Sequence, residues 1–180
     1  TTKPTCTLTV SGTKGNLVSG VQWYKSDTTV TLSVNNASLS GMNIGLTTDS
    51  SKKDKPTKQI LAGSSGSLSD TIKSNIASVT YYGVITTGAG QKADCQTQAI
   101  AVEKGITPPT VAGYLNNSFT QVGVYFNTPK PYSGFASQNC YYNNNLAASS
   151  SGNLCYINSG YVVNTTNYTF KKQITSLAGN

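Results

Sequence analysis

Short stretches in which apolar or β-branched residues alternate with polar ones recur along the whole chain, and Gly, Ser, Asn or Lys residues separate them. A period of two residues predicts β-strands. Even the most helix-like stretch, SDTIKSNIASV, is too rich in β-branched and small polar residues to form a stable helix. The pattern therefore predicts an all-β protein.

The first part of the chain, residues 1–106, contains seven predicted strands. Seven short strands in about 100 residues are typical of an immunoglobulin-like (Ig-like) β-sandwich. The predicted strands are residues 5–10, 28–34, 42–47, 59–61, 68–72, 79–86 and 97–102.

A domain boundary is predicted at Thr107-Pro108-Pro109, because a proline pair disfavours continuation of a strand or a helix. The second domain, residues 107–180, is predicted to be a further Ig-like β-sandwich. A sandwich of this kind normally has seven strands, so the second domain lacks its last one. Its six predicted strands are residues 110–114, 119–126, 135–142, 154–157, 161–163 and 168–174.

The last predicted strand leads into TSLAGN, which is similar to TTGAGQ at residues 86–91. In the first domain that turn is followed by KADCQTQAIAVEK, a returning strand, whereas the sequence given stops on the second turn. An unpaired strand exposes backbone donors and acceptors, and the candidate edge residues are Tyr168, Phe170 and Gln173. Either the sequence given ends at a repeat boundary, or another chain supplies the final strand.

Four cysteines allow three pairings. The absence of His and of CxxC spacings argues against a zinc site. Cys6 lies in the first predicted strand of the first domain and Cys95 beside its last, while Cys140 and Cys155 lie on successive segments of the second. One disulfide per domain, Cys6–Cys95 and Cys140–Cys155, is therefore predicted over the swapped pairings that would tie the domains together. Disulfides imply an oxidising compartment outside the cytoplasm.

The net charge of +7 comes from thirteen basic residues that are all Lys. Because Arg makes the bidentate contacts to guanine and phosphate, its absence argues against a nucleic-acid partner. No apolar run approaches the roughly 18 residues that span a bilayer, so no membrane insertion is expected. Residues 107–180 contain Lys130, Lys171 and Lys172 but no Asp or Glu. We interpret this positive charge as one that keeps the protein soluble, and the alternative is that it attracts an anionic partner.

The first domain carries the motifs PTCTLTVSG, WYKSDTTVTLSV, LSGMNIGLTT, VTYYGVITTGAGQKADC and AIAVEK in this order. With these motifs, residues 3–104 resemble the Ig-like repeats found in tandem in large surface proteins of Firmicutes and related bacteria. They differ at Gln91, where Asn is usual, and in the insertion SSKKDKPTK. Through VVNTTNYTFKKQITSLAGN the second domain resembles, more loosely, a fibronectin type III or related Ig-like module, with Tyr168 either a corner tyrosine or an ordinary strand aromatic. Both resemblances imply extracellular or cell-surface scaffolding and adhesion.

Without His, Ser-His-Asp and Cys-His catalysis is excluded, and we expect no enzyme activity, cofactor or metal. The richest candidate binding surface is PKPYSGFASQNCYYNNN, residues 129–145, through Tyr132, Tyr141 and Tyr142. In each adjacent aromatic pair, such as Trp23-Tyr24, alternation predicts one ring in the core and the other outside.

The sequence thus predicts a non-catalytic extracellular module of a bacterial surface protein, serving as a stalk or adhesin. One alternative is a subunit of a surface filament assembled by strand addition. Another is a carbohydrate-binding module of a secreted enzyme. The expected partner is a host or cell-surface protein or a glycan, or neighbouring copies of the chain.

Overall fold

The computed structural model describes residues 4–35, 41–54, 56, 58–62, 65–117, 121–143, 149–158 and 169–180. Within these residues the regular structure is β-strand apart from one short 3₁₀ turn at Ser50–Lys52. The chain divides into two compact units, Thr1–Lys104 (unit 1) and Gly105–Asn180 (unit 2). The predicted all-β class is confirmed.

Two antiparallel sheets enclose the core of unit 1. In chain order its strands are β1 (Thr7–Ser11), β2 (Lys14–Val18), β3 (Val21–Tyr24), β4 (Thr28–Asn35), β5 (Met42–Thr47), β6 (Lys58–Ala62), β7 (Ser65–Ile72), β8 (Ile76–Val79), β9 (Tyr82–Thr86), β10 (Lys92–Gln96) and β11 (Ile100–Val102). One sheet has the order β1-β4-β7 and the other β10-β9-β5-β6. These orders correspond to strands A-B-E and G-F-C-C′ of an Ig-like sandwich.

The core of unit 1 follows from the alternation in its central strands. The apolar residues of β4 and β5 point inward and are at most 4% exposed, and they are Val30, Leu32, Val34, Met42, Ile44 and Leu46. Between them on β4, polar residues such as Ser33 face outward. Burying each large aliphatic side chain stabilises the fold by about 1.5–3 kcal/mol, so this double row holds the two sheets together.

A third sheet of order β2-β3-β11-β8 was not predicted from the sequence. Its hairpin β2–β3 turns through Ser19 and Gly20, whose φ values of 51° and 79° are those of a type I′ turn. β11 pairs with β3 in parallel, with Ile100 opposite Gln22 and Val102 opposite Tyr24. The prediction of seven strands for this domain was therefore wrong. It missed β2, β3 and β10, and its strand 79–86 covers β9 but only the last residue of β8.

Unit 2 contains β12 (Thr110–Asn117), β13 (Gln121–Asn127), β14 (Phe135–Tyr142), β15 (Ser149–Ser151), β16 (Leu154–Asn158) and β17 (Phe170–Ser176). One sheet has the order β12-β13-β16-β15, and β14 pairs with β17 in the other. These orders correspond to A-B-E-D and C-F of an Ig-like sandwich, so the described residues lack strand G. β15 was not predicted, and the predicted strand at 161–163 lies outside the described residues.

Candidate functional site

The structure contains one disulfide in each unit. Cys6, just before β1, is bonded to Cys95 in the middle of β10, so the bond joins the first strand of the sandwich to its last. The bridge packs against Gly83 and Leu32, since a Cβ placed on Gly83 would lie 3.1 Å from Cys95 Sγ and 3.0 Å from Leu32 Cδ1. A larger residue at position 83 would therefore have to displace the bridge or Leu32 by a few tenths of an ångström.

The disulfide of unit 2 is more local. Cys140 on β14 is bonded to Cys155 on β16, and both residues are buried with Val124 and Phe126 in a small core. The bond therefore links the two sheets across the centre of the unit. It encloses far less of the chain, with a sequence separation of 15 against 89 for the bridge of unit 1.

A buried tyrosine stands at the start of strand F in unit 1. Tyr81 is 4% exposed, and its hydroxyl donates to Asp70 Oδ2 on β7 at 2.8 Å. Burial, and then the hydrogen bond and negative charge of Asp70, raise the pKa of Tyr81 well above its usual range. The backbone of Tyr81 is also tied to Thr97, which accepts from Tyr81 N at 3.0 Å through its hydroxyl. The hydrogen bonds of Tyr81 to Asp70 and Thr97 therefore fix the position of the chain where it enters β9.

The carboxylates near the insertion SSKKDKPTK take part in local surface contacts. Asp49 begins the 3₁₀ turn and accepts from Ser51 N and Oγ at 2.9 and 2.6 Å, which lowers the pKa of its carboxyl. Asp54 pairs with Lys92 at 2.8 Å, and this contact lowers the pKa of Asp54. Within the described part of the chain, no three His, Cys, Asp or Glu residues are grouped so that they could hold a metal ion.

The three candidate binding tyrosines are not brought together. Tyr132 is 61% exposed in the turn before β14, whereas Tyr141 and Tyr142 are half-buried at the far end of that strand. At about 3.3 Å per strand residue, the two groups lie more than about 20 Å apart along β14. The ring of Tyr142 also packs against Phe170, with 5.7 Å between centroids. A single platform formed by all three rings is therefore not present.

The adjacent aromatic pairs also differ from the prediction. Trp23 and Tyr24 are 5% and 4% exposed, so both faces of β3 are covered at this point and the expected outward ring is absent. Tyr81 and Tyr82 follow the prediction more closely, since Tyr82 is only half-buried and lies under Lys53 Nζ, 4.9 Å from the ring centroid. The unpredicted third sheet explains the first difference, because β3 belongs to it.

The predicted strand-addition edge corresponds to the free side of β17. Tyr168 lies outside the described residues. Phe170 and Gln173 lie on β17, which pairs among the described strands with β14 alone. Leu177 N donates to Gly134 O next to β14, whereas Ser176 N donates to Asn180 O on the other side. Backbone N–H groups point to alternate sides along a strand. The N–H groups of Lys172 and Ile174 therefore point to the same side as the N–H of Ser176, away from β14. The N–H of Gln173 points towards β14.

The turn after β17 is a copy of the turn after β9. Thr87 N donates to Gln91 O at 2.9 Å, and Gln91 N donates to Thr87 Oγ1 at 3.0 Å. Ser176 N donates to Asn180 O at 3.0 Å, and Asn180 N donates to Ser176 Oγ at 3.1 Å. A glycine with positive φ, 78° and 91°, precedes the last residue of each turn. The similarity of TTGAGQ and TSLAGN is thus a similarity of conformation.

A lysine lies buried beside this edge. Lys172 is 5% exposed and points into unit 2, where its Nζ donates to Gly152 O at 2.5 Å. Burial lowers the pKa of this amine. Alternation along β17 puts Lys172 on the same face as Phe170 and Ile174, while its neighbour Lys171 is exposed. The sequence pattern predicted the strand but did not single out this lysine.

The comparisons with known proteins give structural neighbours only. No family model and no curated protein matches the chain. Solved structures similar to it include the titin domains Z1Z2 in complex with telethonin, at 14% identity, covering 100% of this chain and 99% of that one. They also include a chimeric titin Z1Z2 carrying an exogenous peptide from decorin, at 13% identity and full coverage of both chains. Both TM-scores are 0.34, and the Ig-like assignment therefore rests on strand order.

Two further observations concern the surroundings of the protein. Its two disulfides indicate an oxidising environment outside the cytoplasm. Among the described residues there is no helix of the length and apolarity that crossing a membrane requires.

Proposed function

We propose that this chain is a non-catalytic module of a bacterial surface protein and serves as a stalk or adhesin segment that carries tension. The observation that carries the proposal is the position of the Cys6–Cys95 disulfide, which joins the chain at its entry into unit 1 to the last strand of the sandwich. A bond in this position lies directly in the path of a force applied to the two ends of the unit.

The force path through unit 1 is short while the bond is intact. Tension enters before β1, crosses from Cys6 to Cys95, and leaves through residues 96–104. Only that last segment can be extended, because the residues between the cysteines form a closed loop. At about 3.6 Å per residue, the segment lengthens the unit by about 30 Å, and β11 is detached from β3 in the process.

Unit 2 provides a contrast within the same chain. Its disulfide closes a loop with a sequence separation of only 15, so most of the unit remains free to extend. We therefore assign resistance to extension chiefly to unit 1. The order of motifs in residues 3–104, which resembles tandem Ig-like repeats of large Firmicutes surface proteins, supports a bacterial cell-surface setting for this role. Its partner in adhesion is a host or cell-surface protein or a glycan.

The proposal is tested by stretching single molecules held at both ends, first oxidised and then in a reducing agent. Reduction of Cys6–Cys95, with its separation of 89, adds about 320 Å to the extension on unfolding of unit 1. Reduction of Cys140–Cys155 adds only about 50 Å. The double variant Cys6→Ala, Cys95→Ala reproduces the long step without reductant, and Cys140→Ala, Cys155→Ala is its matched control.

A long step of about 300 Å or more from unit 1 of the oxidised parent protein would contradict the proposal, because the closed loop cannot contribute to it. The same holds if the parent and the Cys6→Ala, Cys95→Ala variant extend by equal lengths.

A further inference from the structure

A cavity of about 230 Å³ lies in unit 1 between β1 and the sheet β2-β3-β11-β8. Its lining includes Val10, Lys14, Gln22, Tyr24, Thr97 and Ile100. Lys14 is exposed, whereas Tyr24 and Ile100 are 4% and 3% exposed, so the cavity opens to solvent at one end and reaches the core at the other. Pockets for drug-sized ligands measure roughly 300–1,000 Å³, so this cavity fits a smaller occupant, about the size of one sugar ring.

The third sheet of unit 1 brings four of these side chains to one face. Lys14 lies opposite Tyr24 in the β2–β3 pair, and Ile100 lies opposite Gln22 in the β3–β11 pair. Directly opposite residues share a face, and so do Gln22 and Tyr24, which are two residues apart on β3. The hairpin β2–β3 belongs to neither of the two sheets that form the sandwich. The cavity is therefore formed by an addition to the Ig-like fold.

Gln22 presents an oriented hydrogen-bond acceptor at the cavity. Its Nε2 donates to Gly15 O at 3.0 Å and to Trp23 O at 2.9 Å. Both amide hydrogens are therefore used, and the orientation of the side chain is fixed. Its Oε1 can only accept, and in the described part of the chain no donor is bonded to it.

Two hydroxyl groups at the cavity keep a hydrogen that they can donate. Thr97 Oγ1 accepts from Tyr81 N at 3.0 Å, which leaves its own hydrogen available. Tyr24 is buried, yet its hydroxyl forms no hydrogen bond within the described residues. Burial raises the pKa of Tyr24, so this hydroxyl keeps its proton. Because a buried hydroxyl without a partner is unfavourable, a ligand that accepts from it is stabilised in the cavity.

The charge and the apolar lining define the ligand. Lys14 is the one charged residue among the described residues that line the cavity, so an anionic group is attracted to its exposed end. Val10 and Ile100 provide apolar contacts beside the polar groups. A sugar ring has apolar C–H groups on its faces and hydroxyls at its rim, and a carboxylate on the ring supplies the negative charge. The lining thus matches a carboxylated sugar.

We propose that this cavity binds one carboxylated sugar unit of an acidic glycan. The carboxylate pairs with Lys14, and the ring hydroxyls donate to Gln22 Oε1 and accept from Tyr24 and Thr97. The ring lies against the apolar lining. This site deepens the adhesin part of the proposed function and rests on it. The tension-bearing part does not depend on the cavity and is tested separately by stretching, so either can fail without the other.

The probes are methyl β-D-glucuronoside, methyl β-D-glucoside and acetate, each titrated into the full 180-residue protein. The two glycosides differ in the carboxylate, and acetate has the carboxylate without the ring. Amide chemical shifts are followed by NMR. The glucuronoside shifts the amides of Gln22, Tyr24 and Ile100 with a Kd of about 1 mM, as expected for a single sugar in a small site. The glucoside binds about threefold to fivefold more weakly, because it lacks the ion pair, and acetate shifts none of these amides at the same concentration.

Tyr24→Phe distinguishes a binding role from a structural one. The variant keeps the ring and removes only the hydroxyl, which has no partner within the described residues. It lowers the affinity for the glucuronoside about fivefold to tenfold, whereas the urea midpoint of unit 1 does not fall. A lower urea midpoint with unchanged affinity would make the hydroxyl a structural group and would overturn its role in the site.

Lys14→Gln tests the charge. It removes the advantage of the glucuronoside over the glucoside, because the ion pair is lost. Lys73→Gln is the matched control, because Lys73 is also exposed in unit 1 and does not line the cavity, and it leaves that advantage unchanged.

Three further results overturn the proposal. The first is the absence of shifts at Gln22, Tyr24 and Ile100 with about 100 mM glucuronoside, a hundred times the expected Kd. The second is equal affinity for the glucuronoside and the glucoside, which excludes a carboxylate-specific site. The third is equal affinity for the glucuronoside and acetate, which makes the cavity a site for simple anions.

Discussion

Replacing both Cys6 and Cys95 by Ala removes the covalent link between the first and last strands of the unit 1 sandwich. Closing a loop with a sequence separation of 89 lowers the entropy of the unfolded chain by an amount worth about 4.6 kcal/mol at 25 °C. Both cysteines are half-buried against Gly83 and Leu32, so loss of their sulfur atoms adds a smaller packing cost. We expect the free energy of unfolding of unit 1 to fall by about 4–5 kcal/mol.

Urea unfolding followed by tryptophan fluorescence measures this change. Trp23 is the single tryptophan of the sequence and is 5% exposed in unit 1, so its emission reports that unit alone. The matched control replaces Cys140 and Cys155 by Ala, a change confined to unit 2, and leaves the Trp23 transition in place. A fall of less than about 1.5 kcal/mol in the first variant would show that the bond does not stabilise unit 1 through loop entropy, since that contribution alone is about three times larger.

Three smaller changes test other features. Tyr81→Phe removes the hydrogen bond to Asp70 and lowers the free energy of unfolding of unit 1, measured with urea, by about 2 kcal/mol. Because the folded-state pKa of Tyr81 is raised, the parent loses stability as the pH rises above about 10, and the variant lacks this loss. Lys172→Met removes a buried amine whose folded-state pKa is lowered, so parent stability rises with pH towards the unfolded pKa of about 10.4 and the variant's does not. If the stability of the parent protein does not rise with pH in this range, the pKa of Lys172 is not lowered by burial. Gly123→Ala places a Cβ 2.6 Å from Cys155 O, so we expect the free energy of unfolding of unit 2 to fall by about 1–3 kcal/mol, as measured by circular dichroism. Gly113→Ala is the control, because the space around this residue is open and the free energy should not change.

Alternation predicted the strands that lie centrally in the sheets. The bounds of β5 agree with the sequence pattern, because Met42, Ile44 and Leu46 alternate with polar or small residues and are buried. The bounds of β14 also agree, although the apolar residues of FASQNCYY do not alternate regularly. The hairpin β2–β3 escaped prediction for a local reason. The first strand of the hairpin contains Gly15 and Asn16, which have low strand propensity. The one feature of the sequence that indicates a hairpin here is the two-residue turn Ser19-Gly20.

The candidate sites were predictable only where they depend on the order of strands. The prediction of one disulfide in each domain used strand positions alone, and the structure contains both bonds. The strand-addition edge at β17 stays a prediction. The tyrosines of residues 129–145 are close in sequence, but an eight-residue strand, Phe135–Tyr142, separates Tyr132 from Tyr142. Alternation along β17 places Lys172 on the face of Ile174, but the acceptor of its amine, Gly152 O, is brought to this position by the fold and not by the local pattern.

Tryptic mapping of the unreduced protein tests the central claim, that each unit is closed by its own disulfide. Because trypsin does not cleave Lys-Pro bonds, Cys6 lies in peptide 1–14, Cys95 in 93–104, and both Cys140 and Cys155 in 105–171. We expect peptide 1–14 to be linked to peptide 93–104, and peptide 105–171 to be unlinked and two hydrogens lighter than its reduced form. A link from 105–171 to either of the other two peptides would contradict it.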